Sequence, residues 1–332
     1  MTSRTKGNTV SLPPVLSDRL RLPAVASPMF IVSNPELVVA QCTSGIIGSF
    51  PTLNARTQGE LREWLTRIIE RLAKYDAENP SSPSAPFAAN LIVHKSNDRL
   101  EQDLAVISEF EVPVVITSLG AREDVNDAVH DYGGIVLHDI INDRFARKAI
   151  EKGADGLIAV SAGAGGHTGT QSPFALIQEI REWFQGPLLL SGSISHGRSI
   201  LAALAAGADL AYIGSAFIAT DEANASDAYK QMVVDSRAAD IVYSNLFTGV
   251  HGNYLRGSIR DIGLDPDNLP SFDPLAGAGV PGASIVPNDA KAWRDIWGAG
   301  HGVGSVQSIV PAAMLVERLR DEYADARKAL LD

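Results

Sequence analysis

From residue 22 to residue 220 the chain alternates short, continuously apolar runs with longer segments whose apolar residues recur at helical spacing. The runs are Leu22–Phe30, Gly45–Phe50, Phe87–Val93, Pro113–Gly120, Gly133–Ile140, Gly156–Ser161, Pro187–Ile194 and Asp209–Thr220. Continuous rather than alternating apolarity predicts strands covered on both faces. The intervening segments read as helices. One opens at Asn34, an N-cap followed by Pro35, and others cover Glu60–Tyr75, Asp98–Phe110, a short stretch to about Asp131, and Asp143–Lys152. Two more open at Pro173 and at His196, the latter running to Ala206. ENPSSPSAP, before the third run, is a surface loop. Eight strand–helix units predict a parallel α/β fold, and eight is the number that closes a (β/α)8 TIM barrel. A doubly wound open sheet is the alternative.

Beyond Thr220 the alternation stops. Ala223–Ala239 has a helical pattern, Ile241–Gly257 carries Tyr, Asn, His and Gly, Asp265–Asp289 is rich in Pro and Gly, and Gln307–Leu331 reads as a final helix. The expected organisation is a barrel over residues 1–220. A helical and loop appendage over 221–332 would then cover the barrel mouth, with the last helix returning to the barrel.

Composition narrows the function classes. With 332 residues, 45 % apolar and 20 % charged, the chain can bury a large core. A net charge of −11 argues against nonspecific binding to nucleic acid or an anionic membrane. The single cysteine, Cys42, excludes an intrachain disulfide and a CxxC metal site. The N-terminal stretch lacks a signal-peptide core, and no apolar run approaches the ~20 residues of a membrane span. The expectation is a soluble, cytoplasmic protein.

The candidate chemistry centres on GLIAVSAGAGGHTGTQ at Gly156–Gln171, where a strand breaks into a Gly-rich loop carrying His167. In parallel α/β folds catalytic groups sit at the C-terminal ends of strands. An imidazole with an ordinary pKa near ~6.5 exchanges protons at neutral pH. One and two units later, SGSISHG at Ser191–Gly197 and IGSAF at Ile213–Phe217 turn strand ends into helices through glycine. Two such turns in adjacent units point to a phosphate site, because backbone N–H groups there are free. No GxGxxG follows the first strand, so a dinucleotide fingerprint is missing. HExxH, GxSxG and Ca-loop patterns are absent too, which leaves metal and Ser–His–Asp chemistry unsupported. His301, His251, His94 and His138 are weaker candidates, and Trp293 and Trp297 read as core or lid packing.

Together these residues resemble the nitronate monooxygenase family, FMN-dependent TIM-barrel enzymes. The resemblance covers most of the chain. It rests on Ser27-Pro28-Met29 after the first strand, Asn90 in AANL, the AGGHTG loop, SGSISHG, IGSAF, and WGAGHGVG at Trp297–Gly304. Relatives that reduce quinones with NADH, and FMN-dependent enoyl-acyl-carrier-protein reductases, share the pattern. The resemblance implies FMN across the C-terminal mouth, with Ala26, Ser27 and Met29 beside the ring system, Asn90 at its edge and Gly166 in the adjoining loop. Gly192, Ser193, Gly214 and Ser215 would hold the phosphate, with Ser191 also in the cofactor site. It makes His167 the acid/base, and the substrates an alkyl nitronate, or a nitroalkane, and O2. The products are carbonyl compounds and nitrite, and the assembly it allows is a homodimer. An NAD(P)H-dependent reductase of quinones or enoyl thioesters is the alternative in the same fold. A barrel binding a phosphorylated metabolite without flavin is the non-redox one.

This chain departs from the family in three places. Ala26-Ser27-Pro28-Met29 replaces a Gln-Gly-Gly-Met type of strand end, and Pro28 removes an N–H. Asp139 stands where some relatives place a lysine near the flavin. Val160 stands where some carry an acidic residue.

Overall fold

The computed structural model describes residues 12–272 and 290–330. The polar leader before Leu12 and most of the Pro/Gly-rich stretch 265–289 therefore lie outside the described residues. The strands are β1 (Ala24–Ala26), β2 (Gly48–Pro51), β3 (Phe87–Ile92), β4 (Val114–Ser118), β5 (Ile135–Ile140), β6 (Gly156–Val160), β7 (Gly166–His167), β8 (Leu188–Ser191), β9 (Leu210–Ile213), β10 (Ile241–Ser244) and β11 (Gly252–Leu255). Eight of them form one parallel sheet in the order β1-β9-β8-β6-β5-β4-β3-β2. A parallel bridge between Val25 and Ile47 joins its two edges, so the sheet closes into a TIM barrel.

Side chains alternate across this wall. Val25, Ile47, Ala88, Val114, Ile116, Leu137, Ile158, Leu189, Leu210 and Tyr212 fill the lumen. The intervening residues, among them Ala89, Val115, Val136, Leu157 and Leu190, pack against the outer helices. Leu16, from the one-turn helix Pro14–Ser17, joins the lumen cluster and is fully buried. A segment with no strand or long-helix pattern thus contributes to the core.

The helices begin where the capping residues direct. The Asn34 side chain accepts from Leu37 N–H, with Pro35 in the first turn of helix Pro35–Thr43. Asn142 caps helix Asp143–Glu151 in the same way. Several expected elements are shorter in the structure, among them the first run, a strand only over Ala24–Ala26, and the Ala223–Ala239 pattern, a helix only over Asp227–Asp235. The eighth run ends as a strand at Ile213, because Gly214 opens a short helix over Ser215–Ile218. The last helix spans Ala312–Ala329 and starts after Pro311, whose fixed φ and missing N–H suit a helix start.

After the barrel, β10 and β11 form an antiparallel hairpin, and β11 pairs antiparallel with β7, in the loop after β6. This three-stranded sheet ties residues 241–255 to the barrel mouth. The hairpin is not evident in the sequence, where Ile241–Gly257 has neither period.

Candidate active site

The top of the lumen is polar where the layers beneath are apolar. Asn90 of β3, Ser118 of β4, Asp139 of β5 and Ser191 of β8 lie two residues beyond Ala88, Ile116, Leu137 and Leu189, and alternation places them on the lumen face. They are wired in one direction. Asn90 Nδ2 donates to the Ile116 carbonyl at 2.9 Å and to Ser118 Oγ at 2.8 Å, and Ser118 Oγ donates to Asp139 Oδ2 at 2.6 Å. Asp139 Oδ1 is sealed from solvent without a partner among the described residues. Burial pushes the Asp139 carboxyl up to about 6, against the opposing effect of the Ser118 hydroxyl. Tyr212, across the lumen, feels burial first and then the Asp139 charge, both raising its pKa.

His138, one residue before Asp139, points the other way. Its Nδ1 lies 2.6 Å from Thr117 Oγ1 on the outer face, and burial lowers its pKa to about 4. It is a packed core histidine, away from the mouth. His94, after β3, is exposed and bonds locally to Ser96.

The loop after β1 reaches over the mouth. Ser27 N–H donates to the Ile213 carbonyl at 2.8 Å, holding β1 against the end of β9. Asn54 fixes the loop from the side: its Nδ2 donates to the Met29 carbonyl at 3.0 Å, and its Oδ1 accepts from Ile31 N–H at 2.8 Å. A Cβ on Gly214 would lie 3.3 Å from Ser27 Cβ and 3.8 Å from Met29 Sδ. Ser27, Met29, Gly214 and Ser215 are therefore brought together, beside the fully buried Ala26.

The two glycine turns differ from the sequence expectation in one respect. The helix after β8 begins only at Gly197. His196 Nδ1 accepts from Arg198 N–H, and Gly197 N–H donates to Glu322 Oε2 at 2.8 Å. That helix end is thus occupied, and the open donors lie earlier. Gly192, at φ +136°, and Gly214 have N–H groups with no acceptor among the described residues. Ser193 takes a left-handed φ of +57°, which costs a non-glycine residue about 1–3 kcal/mol. The Gly163 carbonyl holds it there, accepting from Ser193 N–H at 3.2 Å and from His301 N–H at 2.9 Å. Gly300 N–H donates to Ser215 Oγ at 2.8 Å. The WGAGHGVG segment thus packs onto both turns, and His301 belongs to this support.

His167 sits in β7, paired with Gly252 of β11. Its Nε2 lies 2.9 Å from Thr248 Oγ1, and its ring meets Trp293 edge-on, with centroids 5.3 Å apart. Burial lowers its pKa, so the ring is neutral at pH 7. Gly166 takes a φ of +70°, and Trp293 covers it: an added Cβ would lie 3.6 Å from that ring. Asn253 Nδ2 donates to the Ala164 carbonyl at 2.7 Å and anchors the same loop. Trp297 instead stacks on Tyr229, and His251 on Tyr243. A cleft of about 450 Å³ opens beside the loop, lined by Ile141, Thr168, Gln171, Tyr243, Val250 and His251. The sequence reading missed Thr248, Tyr254 and Asn253 as neighbours of the His167 loop, and it assigned Trp293 to packing alone. All come from segments that show no period.

A closed parallel barrel with a polar-topped lumen, N–H groups at the β8 and β9 ends without acceptors among the described residues, and a half-buried neutral histidine over the mouth defines a TIM-barrel enzyme class. The nitronate monooxygenase family model matches residues 15–322, and the chain belongs to that family of flavin-dependent oxidoreductases. It is 25 % identical to the nitronate monooxygenase of Paraburkholderia phytofirmans, with 99 % of each chain covered. Among solved structures it is similar to nitroalkane oxidase from Streptomyces ansochromogenes, at 25 % identity and a TM-score of 0.77, covering 95 % of this chain and 99 % of that one. FabK from Thermotoga maritima shares the fold at 21 % identity and a TM-score of 0.74, covering 95 % of this chain and 96 % of that one. Among the described residues, no helix is long and apolar enough to cross a membrane, and no three metal-ligating side chains cluster.

Proposed function

We propose that the chain is an FMN-dependent nitronate monooxygenase that converts alkyl nitronates, and nitroalkanes through their nitronates, with O2 to carbonyl compounds and nitrite. The observation that carries this reading is the half-buried, neutral His167 at the end of the loop after β6, on the same mouth as the β8 and β9 turns.

The residues present fit FMN. The free N–H groups of Gly192 and Gly214 suit a phosphate, with Ser193 and Ser215 beside them. Asn90 spends its Nδ2 on Ile116 and Ser118, which leaves its Oδ1 to accept from a ligand N–H. Ala26, Ser27, Met29, Gly166 and Ser191 supply the remaining walls of the proposed site. When bound there, FMN would supply the redox chemistry for oxidation of the nitronate with O2 to the carbonyl product and nitrite. Residues 1–220 would be the FMN-binding barrel. Residues 221–332 would be the cover, supplying Thr248 and Trp293 to the His167 loop and the 297–304 segment to the phosphate turns.

His167 acts on the substrate's proton. As a neutral imidazole it removes hydrogen from the carbon bearing the nitro group, and the electron pair moves onto the nitro oxygens. The resulting imidazolium then steadies the nitronate's negative charge. Trp293 and Tyr254 pack as one aromatic pair, 5.3 Å between centroids, and Trp293 walls one side of the histidine ring. A substrate added already as its nitronate does not need this step.

The test begins with the purified protein. A yellow colour, with FMN identified by mass after heat release, and nitrite formed from propyl-2-nitronate in air support the reading. A colourless protein that takes up no FMN would leave the non-redox barrel. A yellow one that forms no nitrite and oxidises NADH would point to the reductase.

A further inference from the structure

Thr248 lies in the turn between β10 and β11, 81 residues from His167 in sequence. Its hydroxyl has one hydrogen, and the Val250 carbonyl, which can only accept, takes it at 2.9 Å. The oxygen is left as an acceptor, and Val250 N–H approaches it at 3.4 Å in that role. His167 Nε2 lies 2.9 Å from the same oxygen. With the hydroxyl hydrogen committed, Nε2 must carry the proton and donate it there. The lone pair of the neutral ring then resides on Nδ1. That nitrogen has no partner among the described residues, and it is not sealed from solvent.

We propose that Thr248 is a positioning residue that holds His167 as the Nε2–H tautomer, so that Nδ1 is the atom that accepts the substrate's proton. The inference rests on the reading of His167 as the base. In the step it describes, the C–H bond next to the nitro group breaks and the hydrogen moves to Nδ1 as a proton. The electron pair stays on the substrate as the nitronate. Nε2 keeps its hydrogen throughout and goes on donating to Thr248 as the ring becomes cationic, so proton acceptance requires no ring flip. The edge of Trp293 against the ring holds its plane.

The tautomer is measurable without turnover. In a nitrogen–proton correlation spectrum of histidine-labelled protein, His167→Asn identifies the signal by its loss. The expected pattern is a protonated Nε2 and an unprotonated Nδ1. Thr248→Ser, which retains the acceptor, should keep that pattern. Thr248→Val should lose it, giving the Nδ1–H form or a mixture. It should also lower kcat on neutral nitroethane by about 10–100-fold, with bound flavin and the rate on preformed nitronate little changed. A wild-type ring protonated at Nδ1, or an unchanged pattern in Thr248→Val, would overturn the proposal. Failure of the underlying reading looks different: His167→Asn would deprotonate nitroethane at full rate, whatever the tautomer.

Discussion

At the residue scale, the proposed chemistry rests on the neutral His167, and its partial burial sets the pH response. Its folded pKa lies below the ordinary value, so the base form is present at and above neutrality and is lost only on acidification. The rate on neutral nitroethane should therefore rise with pH to a plateau, with an apparent pKa below ~6.5. His167→Asn should cut that rate by about 10²–10⁴-fold, and the rate on preformed nitronate far less. Equal losses on both substrates in steady-state assays would argue against a base. Asp139 gives a second test, with the opposite sign. Its folded pKa is raised from 3.8 to about 6, so between those values the folded state holds a proton that the unfolded state has released. Stability from this group therefore falls as pH rises through that window, and the penalty persists above it. Asp139→Asn should stabilise the protein by about 1–3 kcal/mol at pH 8 and by little near pH 4, read from urea midpoints. The two neighbours in β5 also show where sequence stops. A strand buried on both faces carries no polarity pattern, so nothing in GGIVLHDI says that His138 faces out to Thr117 while Asp139 faces the lumen.

At the element scale, a clamp of three loops holds the proposed phosphate end. The loop after β6 meets the β8 turn and the 300–301 segment at the Gly163 carbonyl. Gly163 has a φ of +87°, and a Cβ there would lie 2.2 Å from Ser193 Oγ, so only glycine fits. Gly163→Ala should destabilise the fold by about 1–3 kcal/mol and weaken flavin retention on gel filtration, even though position 163 presents no side chain to a ligand. Unchanged melting and retention would mean that the clamp does not support the site. The glycine turns and the His167 loop were legible because strand ends and Gly-rich breaks are local signals. The hairpin that brings Thr248 and Asn253 to His167 was not, since one of its short strands, β11, pairs with the two-residue β7, 85 and 87 positions away at Gly252–His167 and Asn253–Gly166. Tertiary pairing, not local propensity, makes them strands.

For the whole molecule, the repeated strand–helix pattern was sufficient for the barrel, since eight continuous apolar runs have few other ways to be buried. The region after residue 220 reads in the sequence as a cover for the mouth, but which of its side chains meet the His167 loop does not. It lends the site an aromatic wall, a hydroxyl and a glycine-rich support, each through contacts that depend on the finished barrel. Family membership and the flavin-dependent class follow from the match over residues 15–322, and the electron donor is the point on which the proposed activity and the reductase alternative divide. Anaerobic stopped-flow mixing of the flavin-loaded protein tests this most directly. Propyl-2-nitronate should bleach the flavin absorbance rapidly, and NADH should leave it unchanged. Rapid bleaching by NADH with no response to the nitronate would contradict the account.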